Sequence, residues 1–261
     1  VAVLALLERH NFPAERLVRT HSGSLFVVDG ALTILVTTFV GGNPVDYSPV
    51  SLGALAATVG RLHAIRIAQS DNGSLIRPAE MLPESELAYA RRRLDGVANC
   101  VPPTFNERYH DIRAAINQFD VPGDLPVALL HNDCHPANAR RLADGSVVLV
   151  DWEGAGWGPR VIDLGFLLVS GEIEAFRPNR LPANPARVGA IVDGYRDYIR
   201  PTMAELEWLP AAIRFRSIVA GAAAIADAIE ANGLLEDRPW WWTRYQAADD
   251  IAERARRRFG G

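Results

Sequence analysis

The 261-residue chain contains no lysine; every one of its 27 basic residues is arginine. Arginine-only, alanine-rich usage is what a GC-rich genome produces, so the absence is not functional by itself. It does remove lysine from any list of site residues. Cysteine is scarce: Cys100 and Cys134 form no disulfide framework, and a reducing cytoplasm is the default compartment. No apolar run approaches the ~18 residues of a membrane span. The longest, Ile218–Ala226, is alanine-rich and followed by Asp227, which reads as a core helix. Strong charge is lacking too. A net charge of −4 argues against a nucleic-acid partner. No charged segment precedes the apolar start at Val1–Leu7, so nothing there reads as a signal peptide. No repeat or low-complexity linker interrupts the chain, and its length suits one or two domains.

What is present centres on His131-Asn-Asp-Cys-His-Pro-Ala-Asn138, a polar loop between two apolar runs, Val127–Leu130 and Val147–Val150. Short apolar runs bounded by turn residues read as buried strands. Ala143-Asp-Gly-Ser146 supplies a hairpin turn, and the second run ends directly in Asp151. Such a hairpin brings Asp133, Asn138 and Asp151 to one end of a small sheet. Three oxygen ligands without zinc-type spacing suit magnesium and leave room for phosphate oxygens. A zinc site made of His131, Asp133, Cys134 and His135 is the rival reading. Four ligands within five residues strain against one tetrahedral centre.

The motif resembles the catalytic core of the aminoglycoside phosphotransferase and choline kinase family, a branch of the protein-kinase-like fold. The resemblance runs from about Val1 to Leu168. It implies Asp133 as catalytic base, Asn138 and Asp151 as holders of magnesium and nucleotide, and His131 and Asp163 as supports of the catalytic loop. Glu153 is a further candidate, pointing the same way as Asp151 if the strand continues. Phe39-Val-Gly-Gly42 resembles the family's hinge, in which the Thr38 carbonyl and the Val40 amide would pair with adenine. Leu62-His63-Ala64 is another family-like feature, with His63 read as a packing or capping residue. The implied cofactors are ATP and Mg2+, and the implied partner is a small molecule bearing a hydroxyl. The expected fold is α+β: a partial N-terminal β lobe over 1–40 with its hinge at 38–43, then a mainly helical lobe over 44–261 carrying the catalytic hairpin.

Around that core the chain reads simply. Val1–His10 is the tail of a helix, and Asp29-Gly30 turns one strand into Leu32–Thr38. Ser48-Pro49 starts a helix with Leu52, Leu55, Val59 and Leu62 on one face. Helices are expected at 84–94, 104–119, 161–170, 186–200, 204–208, 210–231 and 239–259, and loops over 68–83 and 176–185. Gly154–Pro159 reads as a glycine-rich loop. The Trp240-Trp-Trp242 run is either core packing or the wall of a pocket for a flat or sugar-like ligand.

One departure stands out. Kinases of this fold carry a glycine-rich turn over the phosphates and a lysine paired with a helix glutamate, and Glu8 lies too near its helix end to be that glutamate. None of these parts is in the sequence. Since the chain also starts without methionine, the expectation is an N-terminally truncated kinase or a lysine-less pseudokinase.

Overall fold

The computed structural model describes residues 1–66, 83–174, 184–235 and 239–261. The loops expected over 68–83 and 176–185 fall almost wholly outside these residues. Small two- and three-stranded sheets are set among helices, which make up most of the described chain. The α+β expectation is met.

Helix α1 (Ala2–Arg9) buries Leu4, Leu6 and Leu7 in the same core as Leu52, Leu55 and Leu62. The N-terminal helix thus shares one core with the Pro49–His63 helix. Strands β1 (Val27–Asp29) and β2 (Leu32–Ile34) form a hairpin turned at Gly30, whose φ of +60° suits glycine. Both strands are exposed throughout, including Val28 and Leu32. Beyond β2 the chain pairs back on 16–18, with Val18 N–H donating to Val36 O and Thr38 N–H to Arg16 O.

The linker β3 (Asn43–Pro44) joins β5 (Ala139–Arg141) and β6 (Val147–Leu149) in one antiparallel sheet. Gly42 is needed there: a Cβ would sit 2.5 Å from Arg141 O, and its φ is +97°. Pro13 O accepts from Leu149 N–H, tying the N-terminal segment to the same hairpin. Strand β4 (Val127–Leu130) does not join this sheet. It pairs with β7 (Gly156–Pro159), the stretch expected to be loop. Periodicity could not reveal β7 because two of its four residues are glycine and the last is proline.

Helix α2 (Pro49–His63) starts as expected, with Ser48 Oγ accepting from Ser51 N–H and Pro49 in the first turn. Its apolar face, Leu52, Leu55, Val59 and Leu62, is fully buried. Helices α3 (Pro83–Val97) and α4 (Asn106–Gln118) contribute to a second core cluster. Helix α5 (Val161–Glu172) is buried all round, and α6 (Ala186–Arg196) packs on α2. At that crossing a Cβ on Gly194 would collide with Gly53 O.

The two helices expected at 204–208 and 210–231 are one, α7 (Met203–Glu230), with Pro210 inside it. A proline in a helix leaves the carbonyl four residues earlier without its donor. That carbonyl is Leu206 O, and Arg256 of α8 (Trp240–Gly260) supplies the missing hydrogen bond from Nε at 2.7 Å. Its Nη2 also donates to Glu207 O at 3.0 Å. A tertiary contact therefore overrides a local breaker. By length and composition α7 could cross a bilayer. Here Leu209, Ile213, Phe215 and Ile218 are buried in the core, and Arg214 and Arg216 are ion-paired to Asp249 and Glu86.

Two substitutions test these packings. Arg256→Met keeps much of the stem but strands the Leu206 carbonyl, and should cost about 1–3 kcal/mol in a denaturant melt. Gly194→Ala overpacks the α2–α6 crossing and should cost about the same. An unchanged midpoint for either variant would show that the contact does not constrain the fold.

Candidate active site

The loop between β4 and β5 is held by a buried carboxylate. Asp163, fully buried on α5, accepts from His131 N–H through Oδ2 and from Asn132 N–H through Oδ1, both at 2.8 Å. His63 Nε2 donates to Oδ2 at 3.2 Å, and its Nδ1 pairs with the Tyr195 hydroxyl at 2.8 Å. Cys134 Sγ donates to Asp163 O at 3.3 Å. Burial alone would raise the Asp163 pKa. The hydrogen bond and charge of His63, with help from His131, outweigh it and hold the carboxyl below the ordinary value. His63 thus belongs to a chain running from Tyr195 on α6 to the loop. This is a more specific place than the packing or capping position expected for it.

His131 is buried with both ring nitrogens engaged. Nδ1 accepts from Asp133 N–H, so the Nε2–H is the donor to Val150 O at 3.0 Å. Its ring lies 4.5 Å from that of Trp152. Burial lowers its pKa, which keeps it neutral. With Cys134 sealed inside and turned to Asp163, the proposed zinc set does not converge. Among the described residues no three His, Cys, Asp or Glu side chains form a metal-binding group.

Asp133 is half-buried. Asn138 Nδ2 donates to its Oδ2 at 2.7 Å and to its backbone carbonyl at 3.2 Å. His135 Nε2 stands 3.7 Å from the same carboxylate. Partial burial pushes the Asp133 pKa up, but His135 and then Arg216 outweigh it and hold the carboxyl below its ordinary value, so it is ionised at neutral pH.

The hairpin brings Asp151 to the same end. Val150 N–H donates to Asn138 O at 3.0 Å, and Asp151 follows at once, exposed and left-handed at φ +70°. Such a φ is uncommon for a residue with a side chain, and aspartate tolerates it better than most. The strand therefore does not continue to Glu153, and the alternation expected to aim Glu153 with Asp151 fails. Trp152 turns inward, with Nε1 donating to Leu149 O at 3.1 Å. Glu153 is exposed and reaches a cavity by way of the turn.

That cavity, about 630 Å3, is lined by Asp133 and Glu153 from the hairpin region and by Arg216 and Arg244 from α7 and α8. Tyr47, Phe166 and Trp240 supply aromatic wall. Thr38, Val40, Asn138 and Asp151 are not in this wall. Among the described residues, neither the Thr38 carbonyl nor the Val40 amide has a backbone partner. Of the tryptophan run, Trp241 and Trp242 are core and only Trp240 faces the cavity.

Two cavity residues escaped the sequence reading. Arg216 donates from Nη1 to Glu86 Oε2 at 2.5 Å and from Nη2 to Asn132 O at 2.7 Å, tying α7 to α3 and the loop. Arg244 reaches the same cavity from α8. The usable signal for Arg216 was a charge inside the mostly apolar stretch of α7 from Leu209 to Ala226, which has to find a partner; Arg244, on the charge-rich α8, gave no such signal.

Residues 1–209 match the family model described as the phosphotransferase enzyme family, and the chain belongs to that family. Among solved structures it resembles the amicoumacin kinase hAmiN in complex with AMP-PNP, Ca2+ and Ami. That pair has 18% identity and a TM-score of 0.64, over 95% of this chain and 75% of that one. An aminoglycoside phosphotransferase from Alicyclobacillus acidocaldarius gives 20% and 0.61, over 98% and 79%. Spectinomycin phosphotransferase APH(9)-Ia, in complex with ADP and spectinomycin, gives 14% and 0.63, over 98% and 81%. At these identities the likeness is one of fold, and the fold is protein-kinase-like. No curated protein matches the chain.

The buried, neutral His131 sets an acid limit on the fold. Its ordinary pKa of 6.5 is lowered on folding, so the unfolded chain takes up the proton first. The stability it contributes is full above pH 6.5 and falls as pH drops below that value. The Asp163 contribution is retained until pH falls below 3.8. Thermal melts should therefore decline from pH 7 to pH 5, and His131→Gln should flatten that slope while lowering the midpoint at pH 7. An equally steep slope in the variant would exclude His131 as the cause.

Proposed function

We propose that the chain carries the catalytic centre of an ATP-dependent phosphotransferase acting on a hydroxyl of a small molecule. The observation that carries the reading is Asp133. It is an ionised, accessible carboxylate at a cavity, oriented by Asn138 on a loop whose backbone is locked by Asp163. In phosphoryl transfer most of the catalysis is positioning and charge stabilisation. Asp133 would hold the acceptor hydroxyl and take its proton as that oxygen bonds to the γ-phosphorus and ADP leaves. The cavity beside it is then the acceptor site.

Asn138 and Asp151 fit a hard cation. The Asn138 amide nitrogen is spent on Asp133, leaving Oδ1 for a ligand, and Asp151 stands exposed at the end of the hairpin. Magnesium bound there would neutralise charge on the phosphates. The Thr38 carbonyl and Val40 amide are suited to the adenine edge.

The absence of lysine favours a second reading, a pseudokinase that binds nucleotide without transfer. Turnover separates the two. Incubated with ATP, magnesium and an acceptor panel, the chain should transfer phosphate, and Asp133→Ala should lower the rate by about 10²–10⁴-fold while nucleotide affinity holds. Equal rates in variant and wild type would remove Asp133 as the base; no transfer to any acceptor would favour the pseudokinase.

Without a lysine the phosphates lack one fixed donor. These 261 residues alone should therefore run about a hundredfold or more below a lysine-bearing family member. A comparable kcat would show that an arginine has taken over the clamp.

A further inference from the structure

Arg244 is the charged group whose surroundings capping alone does not explain. It is 3% exposed and sits on α8 in the wall of the cavity that holds Asp133. Nε and Nη2 donate to Ile173 O, at 2.9 and 2.6 Å, closing the C-terminus of α5. That cap uses two of the five guanidinium N–H groups. Among the described residues Nη1 makes no hydrogen bond, yet it is not among the fully buried atoms without partners. Its access is through the cavity. No described carboxylate pairs with Arg244, although most of the other buried or half-buried arginines here end on one. Instead its guanidinium lies 5.0 Å from the Trp240 ring centre and 5.9 Å from that of Phe166.

A cation in such a place is expensive. Burial pulls the Arg244 pKa down to about 10, partly offset by Tyr47 and Asp133. Capping occupies one edge of the guanidinium, and the other edge is left toward the cavity. The free edge of the fork, Nη1 with the second hydrogen of Nη2, matches the two oxygens of a carboxylate. Three acidic side chains line the cavity, and none of them pairs with Arg244 among the described residues. Asp133 is committed to Asn138, Glu153 is exposed at the rim, and Glu174, which follows the capped Ile173, makes no hydrogen bond to the guanidinium.

We propose that Arg244 is an acceptor-binding residue, and that the acceptor is a hydroxyl compound bearing a carboxylate, with a flat or apolar body along the aromatic wall of the cavity. This takes the cavity as the acceptor site and so rests on the phosphotransferase reading. The carboxylate is anchored at α8 while the hydroxyl reaches Asp133 on the opposite wall. A cationic amine in the same pose would place like charge against a buried guanidinium.

The test does not need turnover. Benzoate, benzamide and benzylamine share a ring and differ in charge, and their binding to the 261-residue chain can be measured by calorimetry and by the change in total tryptophan fluorescence. Benzoate should bind at least about tenfold more tightly than benzamide, the effect of a charged hydrogen-bond pair, and benzylamine should bind more weakly still. Asp133→Ala should keep this order, whereas Arg244→Gln should abolish the preference for the acid. Because Arg244 also caps α5, Arg244→Lys is the companion variant. It keeps the charge without the fork, so benzoate should weaken several-fold yet still exceed benzamide. Absence of benzoate binding, benzylamine binding as well as benzoate, or an acid preference that survives Arg244→Gln would each overturn the proposal. Benzoate binding with no phosphate transfer to any acceptor would leave the anion site standing and remove the phosphotransferase reading.

Discussion

A single buried carboxylate fixes the geometry on which the rest of the site depends. Asp163 takes two backbone N–H groups of the loop and the His63 ring at once. An ionised carboxylate in a fully buried place is tolerable only when its lone pairs are this well occupied. The reward is positional. His131 and Asn132 are pinned at the end of β4, so Asp133 leaves the strand at a set angle. The next layer repeats the logic: His131 reaches across to Val150, the residue before Asp151. One charge in the core thereby sets the spacing of the two carboxylates at its surface.

Arginine does structural work throughout, and its fork suits that work. Arg216, Arg244 and Arg256 each end on a main-chain carbonyl that the local backbone leaves unpaired, at Asn132, Ile173 and Leu206. Arg187 does the same for Tyr47 O, and Arg16 for Phe12 O and Ala14 O. A lysine ammonium is a strongly hydrated point charge, whereas the guanidinium is flat, less hydrated and carries directed donors. A chain without lysine can therefore bring cations into its interior and use them as carbonyl caps.

Much of the site was legible because its chemistry is local in sequence. His131, Asp133, Asn138 and Asp151 lie within twenty-one residues, and a hairpin with an Asp-Gly turn brings them to one end. What stayed hidden came from contacts distant in the chain. Pro210 read as a helix break because its compensation, Arg256, lies 46 positions away. Strand β7 escaped because glycine and proline carry no period, and its pairing with β4 comes from register alone. The position of Glu153 was misjudged through the left-handed turn at Asp151, which alternation cannot foresee. Arg216 was visible only as a charge in the mostly apolar stretch of α7, and Arg244 was one of many charges on α8.

The seam between α7 and α8 has a consequence for molecular choice. Gly221 lets the Trp241 ring lie directly on α7, Arg214 pairs with Asp249, and Arg256 fills the gap left by Pro210. Three fastenings spread over the contact make the two helices one plate. Arg216 and Arg244 are mounted on that plate at a fixed separation. On the acceptor-site reading, the far side of the cavity is a rigid gauge rather than a glove: it would sort molecules by length from anchor to reactive end, and homologous series would show a sharp optimum instead of a gradual slope.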